Sequence, residues 1–199
     1  MIKSVCIIDY GVGNVKSVIN AFNSFGINTT LSSDAKTILD SDAIVLPGVG
    51  SYSHGSKNLR QRNLDTVINE FNQTGRPIMG ICLGMQLLMS ESYEFEKSEG
   101  LNLIIGSVEK VELPSSWKIP HIGWETVMFD KHEADMFFCH SFVAKPKNPE
   151  DIYAMVQHEN YSFCAAVKKD NIIGFQFHPE KSGRKGLKLI KDFCEGGRI

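Results

Sequence analysis

What most narrows the folds open to this chain is a rhythm in its first half, where short β-branched apolar runs alternate with amphipathic segments. Val5 to Ile8 reads as a first strand. Val15, Val18, Ile19, Phe22 and Phe25 then recur at helical spacing, with Asn14 placed to cap the helix and Gly26 placed where a left-handed residue ends it. Ile27 to Leu31 is a second strand and Ala43 to Leu46 a third, stopped by Pro47 and two glycines. Leu64, Val67, Ile68 and Phe71 mark another helix, closed by Gly75 and Pro77, and Ile78 to Ile81 is the fourth strand. Strands that are apolar at every position are buried on both faces, which implies a parallel sheet with crossover helices on each side.

The second half changes character. Ser107 to Val111, Met136 to Val143, Ile152 to His158, Ser162 to Lys168 and Ile172 to Phe177 all read as strands, and helix returns only where Leu187, Ile190 and Phe193 share a face. The expected architecture is therefore α/β, a central mostly parallel sheet with helices on both faces and an added antiparallel portion. At 199 residues the chain can bury one sizeable core, and residues 1–199 read as a single domain. Leu113-Pro114-Ser115-Ser116 and Lys145-Pro146-Lys147-Asn148-Pro149 read as exposed loops.

Several function classes fall away. A net charge of -2, with both signs mixed along the chain, offers no field for nucleic acid or membrane phosphates. The apolar run at the start is interrupted by Asp9 and is too short for a signal-peptide core or a membrane span. Five cysteines, odd in number and without a C-x-x-C pair, fit reduced thiols in a cytoplasm. The six histidines lack metal-ligand spacing, so no metal is expected. Gly11-Val12-Gly13-Asn14-Val15-Lys16 begins like a dinucleotide fingerprint, but Lys16 stands where the third glycine belongs. Gly55-Ser56-Lys57 inverts the order of a phosphate loop, and no cofactor is expected.

The chemistry concentrates in two segments. Gly80-Ile81-Cys82-Leu83-Gly84 follows an apolar strand and precedes a helix-forming stretch, the form of a nucleophile elbow with cysteine as nucleophile. A sharp strand-to-helix turn crowds the backbone on both sides, so the flanking positions need glycine. The turn directs the Leu83 amide toward the reacting carbonyl, and a helix N-terminus behind it favours thiolate. Far along the chain, Gly174-Phe175-Gln176-Phe177-His178-Pro179-Glu180 ends a strand with His-x-Glu. Alternation puts His178 and Glu180 on one side, so the carboxylate can hold the imidazole while its second nitrogen faces outward. Alone, Cys82 could be a buried structural thiol and His178 a satisfied strand-end histidine. Together they form nucleophile, base and orienter.

These segments, with Leu46-Pro47-Gly48-Val49-Gly50, Pro120-His121-Ile122-Gly123-Trp124 and Cys139-His140-Ser141-Phe142, closely resemble class I glutamine amidotransferases. Within that family the resemblance is strongest to glutaminase subunits of imidazole glycerol phosphate synthases, and it runs over nearly the whole chain. It implies a flavodoxin-like fold and a Cys82-His178-Glu180 triad that hydrolyses glutamine. Amides around Val49 or Gly50 would join that of Leu83 in an oxyanion hole, and Gly48, Gln86, Glu94 and Ser141 would bind glutamine. The implied partner is a (β/α)8-barrel cyclase subunit in a heterodimer, met by Asn14, Pro120, Trp124 and Lys181. Two positions depart from the family pattern: Glu125 stands where asparagine is usual, and Phe142 where tyrosine is usual. Beside Trp124, Glu125 is expected to face the partner and to need a compensating Lys or Arg there. Three rivals stand beside this reading: a paralogue supplying ammonia for amidation of a surface-polysaccharide or flagellar sugar, a non-catalytic binding module on the same fold, and a partner-independent γ-glutamyl hydrolase.

Overall fold

The computed structural model describes residues 2–13, 15–112, 114 and 118–196. The first half runs β1 (Ser4–Ile8), α1 (Lys16–Asn23), β2 (Asn28–Ser32), α2 (Ala35–Leu39), β3 (Ala43–Leu46), α3 (Tyr52–Gln61), α4 (Leu64–Gln73), β4 (Ile78–Ile81) and α5 (Leu83–Leu87). Strands then dominate: β5 (Met89–Ser92), β6 (Ser98–Glu99), β7 (Ile104–Lys110), β8 (His121–Phe129), β9 (Glu133–His140) and β10 (Phe142–Pro146). The chain closes with β11 (Ile152–Gln157), β12 (Ser162–Lys169), β13 (Ile172–Phe175) and α6 (Gly183–Cys194).

A nine-stranded sheet, in the order β2-β1-β3-β4-β13-β12-β11-β8-β9, forms the frame. From β2 to β13 every pairing is parallel, and from β13 to β9 every pairing is antiparallel. A second, four-stranded sheet in the order β10-β7-β5-β6 stands apart from it. The apolar run of β1 explains the layering. Val5 and Ile7 join a core that includes Val18 and Phe22 of α1 and Ile190 and Phe193 of α6. Cys6 and Ile8 join the opposite core, with Leu59 of α3, Ile68 and Phe71 of α4, Leu83 of α5, and Val108 and Ala144 of the smaller sheet. Burying one such side chain is worth ~1.5–3 kcal/mol, so a strand burying four in succession is committed to the middle of the sandwich.

The expected strands of the first half lie within a residue of those observed. Three differences matter further on. The run expected as one strand from Met136 to Val143 is two, because β9 ends at His140 in the large sheet and β10 begins at Phe142 in the small one. Ser141 is the crossing point, its carbonyl taken by the Val111 amide (3.0 Å). Strand β8 was absent from the expectation because its alternation is inverted: His121 and Glu125 are buried while Ile122, Trp124 and Met128 are exposed. Helix α3 also escaped, since its buried face is Tyr52, Gly55, Ser56 and Leu59 rather than an apolar stripe. The cap expected at Asn14 lies outside the described residues, as does most of the loop at 113–116. Helix α1 begins at Lys16 with Val15 before it and no side-chain cap.

Candidate active site

The end of β4 sets the geometry. Cys82 follows it with φ 53° and ψ −111°, a conformation that costs a non-glycine residue ~1–3 kcal/mol and persists only where the surroundings over-determine it. They do so here. A Cβ on Gly84 would lie 1.7 Å from the Leu46 carbonyl oxygen, and one on Gly80 would lie 2.8 Å from the Met85 backbone. The Cys82 amide is tied to the Phe175 carbonyl at 2.7 Å, so β13 holds the turn from the other side. Helix α5 has only five residues, which makes its dipole a weaker support for a thiolate than the sequence suggested.

The positive charge comes from elsewhere. Beyond β13 the His178 amide donates to the Phe137 carbonyl (2.9 Å), and Nδ1 of His178 meets Oε1 of Glu180 at 2.8 Å, with both side chains buried. Glu180 sits on a 3-10 turn, Pro179–Lys181, rather than on the extended segment expected. The turn still returns the carboxylate to the ring. A carboxylate only accepts, so Nδ1 carries a proton and Nε2 is the nitrogen left for Cys82. Burial alone would lower the imidazole pKa, but hydrogen bonding and charge attraction from Cys82 and Glu180 outweigh it and raise it to about 9. Near neutral pH His178 therefore holds its proton.

A cavity of about 180 Å³ opens at the thiol. Val49, Gly50, Leu83, Gln86, Glu94 and Ser141 line it together with Cys82, and Pro120 and the stretch from Cys139 to Phe142 complete the wall. Gly48 lies behind the wall, and its carbonyl accepts the Leu83 amide at 3.4 Å. The donor expected in an oxyanion hole is thus engaged by the loop that should complete the hole. Gly50, at φ 117°, gives that loop a conformation a side chain would oppose. Glu94 accepts the Tyr52 amide (2.6 Å), and burial raises its carboxyl pKa. Nε2 of Gln86 donates to the Phe142 carbonyl and to Oε1 of Gln176, each at 2.9 Å. Gln176 in turn offers Nε2 to the Cys82 sulfur at 3.8 Å. Gln176 was not singled out in the sequence, although a fully buried amide between Phe175 and Phe177 is the kind of polar interruption that signals a role. Phe142 touches this network through its main chain, so its missing phenolic hydroxyl leaves these bonds intact.

The residues expected to meet a partner fall as follows. Pro120 is exposed and on the cavity rim. Trp124 is 56% exposed, its ring 6.0 Å from that of Phe137 across the β8-β9 pair. Lys181, directly after Glu180, is exposed. Asn14 lies outside the described residues. Glu125 corrects the expectation. Its side chain is 6% exposed and points inward, where Nε2 of His121 (3.1 Å), Nε2 of His158 (2.8 Å) and the Tyr161 hydroxyl (3.4 Å) surround it. No basic residue on a partner is needed to compensate it. Strand alternation explains the error, since Trp124 faces out and its neighbour must face in.

Residues 6–196 match the family described as glutamine amidotransferase class-I. The chain belongs to the class I glutamine amidotransferases. This amidotransferase is 40% identical over 213 residues to imidazole glycerol phosphate synthase subunit HisH 1 of Legionella pneumophila (strain Paris), covering 97% of this chain and 99% of that protein. It is 40% identical over 197 residues to subunit HisH of Aquifex aeolicus, covering 94% of each. Among solved structures it resembles PurLQS from Thermotoga maritima with a TM-score of 0.79 at 19% identity, covering 98% of this chain and 99% of that one. A glutamine amidotransferase crystal structure matches with a TM-score of 0.77 at 16% identity, covering 96% and 97%. The structural likenesses support the fold alone.

Proposed function

We propose that this amidotransferase is the glutaminase subunit of an imidazole glycerol phosphate synthase, delivering ammonia to a (β/α)8-barrel cyclase subunit in histidine biosynthesis. The observation that carries the chemistry is the buried His178, oriented by Glu180 and in contact with Cys82 at the mouth of a small cavity. The relatives' names carry the pathway.

The thiolate of Cys82 attacks the side-chain amide carbon of glutamine, and the C–N bond breaks as His178 delivers its proton to the leaving nitrogen. Ammonia and a γ-glutamyl thioester result. The neutral imidazole then takes a proton from water as it attacks the thioester, releasing glutamate and restoring the thiolate–imidazolium pair, with Glu180 holding the ring throughout. Glu94 and Ser141 both line the cavity, Glu94 as the proposed contact of the substrate ammonium and the stretch around Ser141 as that of its carboxylate.

The oxyanion needs donors. With the Leu83 amide bonded to Gly48, the resting site lacks one, and a rotation of the peptide around Val49 and Gly50 would free it and add another. Each donor is worth ~3–4 kcal/mol of barrier. Ammonia must reach its acceptor without entering water, which calls for a docked synthase over the exposed Pro120, Trp124 and Lys181 region, with Asn14 as a further contact. A cytoplasmic setting belongs to the same reading and fits free thiols. Among the described residues no helix is long and apolar enough to cross a membrane.

The test combines this chain with the histidine-pathway cyclase from the same source and measures glutamine-dependent product formation with acceptor present. Coupled turnover is expected. Failure to couple, alongside success with a sugar-amidating synthase, would transfer the protein to the polysaccharide pathway. Fast turnover without any partner would make it a free-standing hydrolase.

A further inference from the structure

The inward faces of β8 and β9 carry a chain of buried polar side chains that the triad does not use, His121 and Glu125 from β8 and His140 from the end of β9. His121 is 4% exposed, Glu125 6% and His140 5%. Burying three such groups in an apolar core is costly unless each is paired, and they are paired in series. Oε1 of Glu125 meets Nε2 of His121 at 3.1 Å, and Nδ1 of His121 meets Nε2 of His140 at 3.1 Å. Nδ1 of His140 meets the Phe142 carbonyl oxygen at 3.0 Å.

The bonding fixes where the protons are. A carbonyl only accepts, so Nδ1 of His140 is protonated. Burial lowers the His140 pKa to about 4, so near neutral pH its Nε2 is bare and accepts. His121 must then donate from Nδ1. Its Nε2 faces the carboxylate of Glu125, an acceptor that also draws His158 and Tyr161. His121 thus bridges Glu125 and His140 inside the protein. The far end of the chain is the Phe142 carbonyl, where the His140 bond joins the bond from Gln86, and both Phe142 and His140 line the cavity at Cys82. Two lone pairs held by two fixed donors leave that carbonyl no freedom to turn. The Ser141-Phe142 wall turns with it.

We propose that Glu125 is a positioning residue for glutamine, acting through His121 and His140 to lock the Phe142 carbonyl and the Ser141-Phe142 wall of the cavity. This rests on the glutaminase reading and deepens it. Glu125 touches neither the thiol nor the substrate; it selects the one proton arrangement in which His140 points Nδ1–H at the wall. Loss of the arrangement loosens substrate binding and leaves the Cys82-His178 chemistry in place.

The experiment uses the full chain in complex with its cyclase, with Glu125→Leu and Glu125→Gln variants assayed for glutamine turnover and the histidine side chains read by 15N NMR. Glu125→Leu is expected to raise KM for glutamine about tenfold, with kcat within about threefold of the parent. Glu125→Gln is expected to keep KM within about twofold of the parent, because its carbonyl can still accept His158 while its amide still meets His121 and leaves the His121-His140 bond in place. The parent should show His140 protonated on Nδ1, and Glu125→Gln should keep that proton while Glu125→Leu loses it in part. An unchanged KM in Glu125→Leu, a KM raised well beyond twofold in Glu125→Gln, or a His140 without its Nδ1 proton in the parent would each overturn the proposal. If Glu125→Leu does not fold, the NMR assignments and the Glu125→Gln KM decide. A parent complex that does not hydrolyse glutamine would defeat the glutaminase reading instead, and the NMR signatures would still judge the buried chain.

Discussion

Replacing Cys82 with alanine tests the coupling between nucleophile and base more sharply than loss of activity does. In the parent, burial pulls the His178 pKa down, and contact with Cys82 and Glu180 raises it to about 9, against 6.5 for an unperturbed histidine. A pKa raised in the folded state stabilises the fold fully below the unfolded value, and that contribution declines as pH rises from about 6.5 and is gone above about 9. With each unit worth ~1.36 kcal/mol, the protonated His178 contributes about 3 kcal/mol at pH 6. Cys82→Ala leaves burial opposed by Glu180 alone. The His178 pKa should fall well below 9, and the pH-dependent part of the stability should shrink with it. The assay is NMR titration of His178 in both proteins, together with urea unfolding at pH 6, 7.5 and 9. The variant should hydrolyse no glutamine, dock its partner normally and keep the antiparallel half of the large sheet. A His178 that titrates near 9 in both proteins would refute the assignment of Cys82 as its charge partner.

Three further outcomes follow from the same geometry. The isolated chain should hydrolyse glutamine slowly, and acceptor-loaded cyclase should speed it by at least about 100-fold, the worth of the freed Leu83 amide alone before the second donor is counted; partner-independent turnover at the full rate would rule out the blocked Leu83 amide as a resting state. Gly48→Ala puts a Cβ 2.3 Å from the Tyr10 hydroxyl and 3.0 Å from the Leu83 Cβ, so it should destabilise the fold by ~1–3 kcal/mol, and Tyr10→Phe in the same chain should recover part of that in a double-mutant cycle. Lys181→Ala should weaken coupling to the synthase roughly tenfold, as loss of an interfacial charge does, while alkylation of Cys82 by iodoacetamide proceeds at the parent rate.

The parts legible in the sequence and the parts hidden from it differ for a physical reason. β1, β3 and β4 bury both faces, and no other pattern than an unbroken apolar run can do that, so their bounds could be read within a residue. The elbow was legible because its steric demand is local: Gly80 and Gly84 answer to atoms of Met85 and Leu46 that any such turn would bring near. His178 and Glu180 were legible because they are two residues apart and need no distant partner to meet. Glu125 is the opposite case. Its carboxylate is satisfied by His121 on its own strand, by His158 at the end of β11 and by Tyr161 ahead of β12, and only the sheet order brings these together. Read in one dimension, a charge beside an exposed tryptophan belongs to a surface. Folded, it belongs to the core, and its hydrogen bonds run through His121 and His140 to the wall of the cavity at Cys82. Gln176 and Gln86 behave likewise, two amides from just past β13 and from α5 whose bond to one another connects the Phe142 carbonyl to the Cys82 sulfur. The nucleophile thus lies at one end of a polar network that starts at Glu125. Sequence motifs pointed to the end proposed for the chemistry, and the tertiary structure added the buried chain proposed to hold the cavity wall still.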